Sequence, residues 1–520
     1  MCSGTILHAA PFEQEKRRAP FRLILLSVFV WIVVACGRPL AAEQQDALQK
    51  LPSHPTPVLS SPVATPPTVS ASPPASLQTT PEDWPTYSMN SSRGGFNAAE
   101  TLITAASASR LEVRWEAHTP STISAQPIEA FGMVYVGSWD GRERAYDLTG
   151  NQVWTTRLGT THGCGAVIGV ASTATATVIK RDGVSTPALF VGGGNGKFYA
   201  LDALDGTILW ATPLGSPPSH FLWSSPVVYK GSVYIGMASL ADCPTVQGQL
   251  IQMDLVTGHI QHVFNVVPDN CRGGGIWTSP TIDEQTGKVY VSTGNPDPCW
   301  TSEPYASSLL ELRASDLALI DSWQVPRSEW VIDSDFGSSP TLFTALLGGV
   351  SRPLVGLAHK NGTYYAFLRD SIGSGPVWRA AIAQGGSCPN CGDGSISTAA
   401  WDGTQLYVAG GHTTINGASC YGSVRALNPT TGAVLWQQCV TDGPVVAAIT
   451  AVPGIVVAGA GPVLLLLDAT SGKRVFTYRD PQDGSVFYGS ASVSRGALYL
   501  GNSNGTLYAF GLRHLRCSCA

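Results

Sequence analysis

The sequence predicts an all-β fold, an eight-bladed β-propeller of four-stranded blades whose ring is closed by the N-terminal strand. Three observations carry this expectation. A unit of about fifty residues recurs along the chain, a period that marks propellers and solenoids. The composition suits short packed strands: 56 glycines, 14 tryptophans, and only 13% charged residues. No segment keeps a 3.6-residue apolar period, which sets helical repeats aside.

Each unit reads as a small-residue strand, a β-branched strand ending in Gly, a strand ending near Asp, a Thr-Gly turn and a tryptophan strand. Copies fall at 134–159, 189–215, 248–264, 308–325, 361–378, 422–440 and 462–480. An eighth, 485–512, stops before its tryptophan strand, and "SRLEVRWEAHT" at 109–119 has a tryptophan strand with nothing before it. The N-terminal strand therefore completes the last blade. The Thr-Gly turn supplies a positive-φ position, and the indole has an apolar face for the neighbouring blade.

The chain has 520 residues and a formal net charge of −5. No basic surplus is available for phosphate backbones, so nucleic acid is not an expected partner. Lys16, Arg17 and Arg18 precede the apolar run "FRLILLSVFVWIVVAC", the order of an export signal, and Val33-Val34-Ala35-Cys36 resembles a bacterial lipobox. The expected organisation is a signal and lipobox at 1–36, a Pro/Ser/Thr-rich disordered linker at 37–82, a propeller at 83–512 and a tail at 513–520. The expected location is the cell surface or periplasm, with a lipid at Cys36 as the only membrane attachment and the protein a monomer.

Eight cysteines lie in the body: Cys164, Cys243, Cys271, Cys299, Cys388, Cys391, Cys420 and Cys439. An even number in an exported chain points to disulfides, with Cys420–Cys439 and Cys388–Cys391 the local candidates and the rest of the connectivity open. "CPNCG" has no following His, so it is not a haem attachment site, and a zinc site lacks a second Cys-x-x-Cys.

The Asp-x-x-Thr-Gly-x-x-x-Trp unit, the count of eight and the closing strand resemble the pyrroloquinoline quinone (PQQ) propellers, the quinoprotein alcohol dehydrogenase fold. "DWPTYSMNSSRGGFN" at 83–97 is similar to the Trp-Pro entry segment of that superfamily. The same superfamily includes lipid-anchored outer-membrane assembly propellers that bind no quinone. "GGGIWTSPTIDEQTGKVYVSTGNP" at 273–296 resembles the dehydrogenases' Trp-x-Ser-Pro…Thr-Gly-Asn-Pro run. The resemblance implies that Trp277 is the floor on which the quinone stacks and Asn295 a calcium ligand. An indole offers a π face, and an amide oxygen suits a hard cation. "HKNGTYYAF" at 359–367 is similar to the segment whose cation reaches the quinone carbonyls, a role that falls on Lys360. Each has a bland alternative: Trp277 as inter-blade packing, Asn295 as a left-handed turn residue, Lys360 as a solvated hairpin flank.

The general base has two candidates. Glu303 stands at or within one residue of the family's aspartate position, and Asp335 in "DSDFGSSP" resembles the Asp-Phe-Gly-x-Ser-Pro run of polyvinyl-alcohol dehydrogenases. Either carboxylate also suits a loop cap. Two family features are altered: Cys243 or Asp242 stands where a calcium-binding glutamate is expected, and Cys164 alone stands where the family has adjacent cysteines covering the quinone. The resemblance thus implies a dehydrogenase of a small or polymeric alcohol, a polyol or a sugar-like substrate, using PQQ and Ca²⁺, with no haem and an external electron acceptor. The alternative is a non-catalytic cell-surface binding or assembly scaffold.

Overall fold

The computed structural model of the protein describes residues 78–513. The expected export signal, Cys36 and nearly all of the linker lie outside them, as do Cys517 and Cys519. Within them the chain forms eight antiparallel blade sheets, seven of four strands and one, the third, widened to five by the short strand His220–Phe221, with two small two-stranded hairpins besides. In the first, Ile128–Ala130, Met133–Ser138, Arg142–Asp147 and Gln152–Arg157 pair in chain order. The last sheet joins Ser492–Ser494, Ala497–Gly501 and Thr506–Leu512 to Leu111–His118, so the N-terminal strand closes the ring as expected.

The repeated residues show why the blades take this form. Asp147, Asp254 and Asp468 each accept turn N–H groups two and more residues on, replacing hydrogen bonds that the reversing chain would otherwise lose. The indole of one blade then lies on the turn glycine of the next. A Cβ at Gly206 would stand 2.6 Å from the Trp154 ring, and one at Gly150 would stand 2.8 Å from Trp115. Both glycines have positive φ, +75° and +93°, so the position excludes side chains twice over. Trp154 also donates its Nε1–H to Ala203 O at 2.9 Å, and Trp436 to Ala469 O at 2.8 Å. Turn, glycine and tryptophan together form one inter-blade joint.

A second set of links runs around the first strands. Gln126 N donates to Thr173 Oγ1 (2.8 Å), Thr173 N to Ser225 Oγ (3.0 Å), Ser225 N to Ser279 Oγ (3.0 Å), Ser279 N to Ser339 Oγ (2.9 Å), and Ser339 N to Thr398 Oγ1 (3.0 Å). Each hydroxyl satisfies a main-chain N–H buried in the centre of the ring, where no sheet partner reaches it. Beyond this circle lies the entry segment: Ser91 O, Ser92 O, Gly94 O and Gly95 O accept from Ile282, Leu342, Trp401 and Ala451 of four different blades. Arg93 is fully buried there, its guanidinium donating to Pro280 O, Tyr87 O, Thr86 Oγ1, Ser225 O and Pro226 O. Along blade 4 the order is therefore Trp277, then Ser279 of the hydroxyl circle, then the contacts with the entry segment.

Candidate active site

On the Trp277 side of the hydroxyl circle, loops within and between blades 3 to 5 surround a cavity of about 350 Å³, lined by Trp277, Asn295, Asp333, Asp335, Lys360 and Trp223 among others. This volume is in the range of small-molecule sites. Trp277, Asn295, Asp335 and Lys360, far apart in sequence, are thus brought together.

Local hydrogen bonds explain the convergence. The strand Lys288–Ser292 ends in Thr293-Gly294-Asn295, where Gly294 N donates to Gly275 O (2.9 Å) and Gly274 N to Asn295 O (2.8 Å), tying the asparagine turn to the segment that carries Trp277. Asn295 N donates to Asp335 Oδ1. Lys360 N donates to Asp335 O at 3.0 Å, which sets lysine and aspartate side by side. Asn295 is not among the residues with positive φ, so a left-handed turn does not account for it. A Cβ at Gly337 would approach the Trp277 ring edge at 3.0 Å, and the glycine thus lets the indole seat against the next blade.

Lys360 is 7% exposed and is no solvated flank. Its Nζ donates to Asp335 Oδ2 at 2.6 Å and to Asp333 Oδ2 at 2.7 Å, and stands 5.4 Å from the centroid of the Trp277 ring. One ammonium therefore faces two carboxylates. Burial, with the Asp333 charge, pushes the Asp335 carboxyl up to about 7 against the opposing pull of Lys360. Burial alone would lower the Lys360 ammonium, but Asp335 and Asp333 hold it above its ordinary range. His359 behind it is buried and held low, at about 4, by desolvation. It is neutral, accepting from Asn361 N at Nδ1 (3.0 Å) with Nε2 3.2 Å from Ser307 Oγ.

Glu303 occupies a different place. It is buried at 8% exposure outside the cavity lining, neither carboxylate oxygen has a partner at hydrogen-bond geometry, and burial pushes it up to about 7. Of the two candidate bases, Asp335 faces the cavity.

Two lining residues escaped the sequence reading. Asp333, with φ +60°, is the second partner of Lys360. Trp223 lies in "WSSP", a blade-3 counterpart of the "WTSP" around Trp277, and that internal repeat was the signal that could have revealed it.

An indole face, a held cation and a carboxyl on one cavity fit a flat, electron-accepting cofactor with polar edges. The fit to a metal is poorer. Asn295 offers one amide oxygen, Asp335 is engaged by Lys360 and by Asn295 N, Asp242 accepts from Ser239 Oγ (2.5 Å), and Cys243 is disulfide-bonded. Among the described residues no group of three or more His, Cys, Asp or Glu converges on a metal position. These side chains alone do not supply the six to eight oxygens that Ca²⁺ takes.

The four disulfides are Cys164–Cys243, Cys271–Cys299, Cys388–Cys391 and Cys420–Cys439. Both local pairs expected from spacing are present.

Fold and cavity together define the class, an eight-bladed propeller whose cavity is lined by an indole and a buried cation. The family model for the glucose/ethanol/alcohol dehydrogenase β-propeller domain matches residues 84–380, more than half of the chain, and the protein belongs to that family of PQQ-type propellers. A second model, for the outer membrane protein assembly factor BamB, matches residues 372–514. The chain is 25% identical over 443 residues to a polyvinylalcohol dehydrogenase of Pseudomonas sp., covering 75% of this chain and 66% of that protein. It is 27% identical over 338 residues to the quinohemoprotein alcohol dehydrogenase of Comamonas testosteroni, covering 55% and 45%. The matched stretch thus spans 66% or less of the length of either relative. In structure it is similar to the Comamonas testosteroni quinohemoprotein alcohol dehydrogenase (TM-score 0.63, 18% identity, 84% of this chain and 81% of that one). It is also similar to a europium-containing methanol dehydrogenase (TM-score 0.65, 15% identity, 83% and 98%), and these likenesses speak for the fold.

Proposed function

We propose that this protein is a PQQ-dependent dehydrogenase that oxidises an alcohol, polyol or sugar-like substrate and passes the electrons to an external acceptor. The observation that carries the reading is the Lys360 ammonium, 5.4 Å from the Trp277 ring centroid and 2.6 Å from Asp335 Oδ2. Bound PQQ would supply the two-electron acceptor chemistry that no side chain provides. Trp277 offers it a stacking face, and Lys360 stabilises negative charge developing at its edge. Asp335, raised toward neutrality, is matched to taking the substrate hydroxyl proton at Oδ2. Calcium enters the proposal only through the Asn295 amide, and the substrate class through the alcohol-oxidising relatives. Export and a lipid at Cys36 belong to the proposal as well. No helix among the described residues is long and apolar enough to cross a membrane.

The test is a titration of the purified chain with PQQ, with and without Ca²⁺, following thermal stability and quinone absorbance. Saturable binding that raises the melting temperature by linkage and is lost in Trp277→Ala supports the reading. No binding in either condition overturns it and leaves the scaffold reading, which the BamB-type match over residues 372–514 favours.

A further inference from the structure

We infer that the Cys164–Cys243 disulfide is a clamp that holds the outer wall of the cavity in its binding shape, an inference that rests on the PQQ reading of the site. The wall in question is the run 240–246. It contributes Leu240, Ala241, Asp242, Thr245 and Val246 to the lining and is the loop that joins the paired strands Ser232–Ser239 and Gln249–Asp254 of blade 3. Residues 241–244 are exposed. The other hydrogen bonds lie mostly at the ends of this run: Leu240 N donates to Ser219 O at 3.0 Å and Trp223 Nε1 to Leu240 O at 3.1 Å, Asp242 accepts from Ser239, Thr245 donates to Asp297, and Gly273 N donates to Val246 O at 2.9 Å.

The other half of the crosslink sits on a small separate hairpin, Thr161–Gly163 with Ala166–Ile168, in the connection between the last strand of blade 1 and the first of blade 2. Ile168 joins Ala171, Phe221 and Leu240 in a separate apolar cluster on which Trp139 and Trp223 pack. Gly163 fits against Leu240, where a Cβ would stand 2.8 Å from Cδ2. The crosslink therefore joins the connection between blades 1 and 2 to a loop of blade 3, and the cluster beneath it includes a tryptophan of the cavity.

Both half-cystines are exposed, as is Cys391 of the Cys388–Cys391 pair, whereas Cys271 and Cys420 are buried. A dithiol can reach the bond. Dithiothreitol supplies two electrons and two protons, the S–S bond breaks, Cys164 and Cys243 become thiols, and the reagent leaves as its cyclic disulfide. Each blade keeps its own sheet, so opening the clamp frees the wall without unfolding the ring. Cys164 and Cys243 are positioning residues, acting on the bound molecule through the wall.

The experiment uses the full chain with PQQ as the probe, reading affinity and dissociation rate from tryptophan quenching and fold from far-UV circular dichroism. The oxidised chain binds saturably. After dithiothreitol, and in the C164S/C243S double variant, Kd rises at least tenfold through faster dissociation while the β spectrum is kept. Reoxidation restores the wild type but not the variant, and C420S/C439S binds as the wild type does. Should the double variant fail to fold, reversible loss of affinity on reduction of a C388S/C391S chain, which lacks the other exposed disulfide, supports the clamp by itself. Equal affinity in the oxidised and reduced chains overturns the inference, and so does unfolding on reduction, which would make the bond a staple of the fold. Absence of binding by the oxidised chain instead overturns the PQQ reading on which it rests.

Discussion

The Lys360 ammonium and the Asp335 carboxylate meet at 2.6 Å in the cavity, joined also through the main chain, where Lys360 N donates to Asp335 O. This pairing makes Asp335 rather than Glu303 the expected base. Asp335→Asn lowers kcat by about 10² to 10⁴, the range of a general base, with PQQ affinity within a few-fold of wild type. Glu303→Gln, outside the lining, changes kcat by less than about threefold. Because burial raises Asp335 to about 7, kcat/KM climbs with pH through that value as the carboxyl loses its proton. Rate profiles of both variants test this, and loss of the rising limb in Glu303→Gln would reverse the assignment.

Removing the cation separates binding from folding. Lys360→Met leaves Asp335 and Asp333 facing each other without a counter-charge, at a cost of about 3 to 5 kcal/mol. Without the pull of Lys360 the Asp335 carboxyl rises further above its about 7 in the wild type, so it takes up a proton and part of the loss is regained as pH falls through the neutral range. Denaturant midpoints at two pH values check it.

Glu143 is fully buried, with neither carboxylate oxygen partnered, and desolvation pushes it up to about 8 from an ordinary 4.5. A carboxyl raised in the folded state binds its proton more tightly there than in the unfolded chain. Its stabilising share is therefore full below pH 4.5 and lost as pH rises toward 8. Glu129, raised to about 7 by burial and by Asp83, acts in the same direction. The melting temperature should fall as pH rises from 5 to 8, and Glu143→Gln should flatten part of that fall. An unchanged slope in the variant would clear Glu143 of the effect.

The inter-blade joint predicts a contrast between two glycines. Gly206→Ala drives a methyl into the Trp154 ring at positive φ and should cost about 3 kcal/mol or more. Gly403→Ala, also at positive φ (+95°) but with nothing within 4 Å, should cost only about 1 to 2 kcal/mol of backbone strain. Chemical denaturation of the two variants measures the difference, and equal losses would remove tryptophan docking from the explanation.

Much of the fold was legible because its rules are local. Asp, Thr-Gly and Trp lie within one hairpin, so their spacing exposed the blade, and counting blades exposed the closing strand. The cavity was legible only in part. Trp277 and Asn295 share one motif, but the Asn295–Asp335 contact spans forty residues and the Cys164–Cys243 bond seventy-nine, so neither could be read from spacing. Glu303, placed by its nearness to the motif in sequence, is not among the residues that line the cavity. Arg93 was hidden for the opposite reason: an arginine in a polar, glycine-rich stretch reads as solvated, and only the fold supplies the five oxygens that bury it.

The last blade is made from both extremities of the propeller, with Leu111 opposite Leu512 and His118 opposite Thr506. The timing of assembly follows from that register. During synthesis the strand Leu111–His118 emerges early and has no partner until the ribosome has added nearly four hundred more residues. Until then the nascent chain carries an unpaired strand edge and an unsealed ring, the condition in which β-rich intermediates associate wrongly. Closure of the ring is thus a late, end-to-end event, and a chain ending short of Thr506 would lack the strand that closes it.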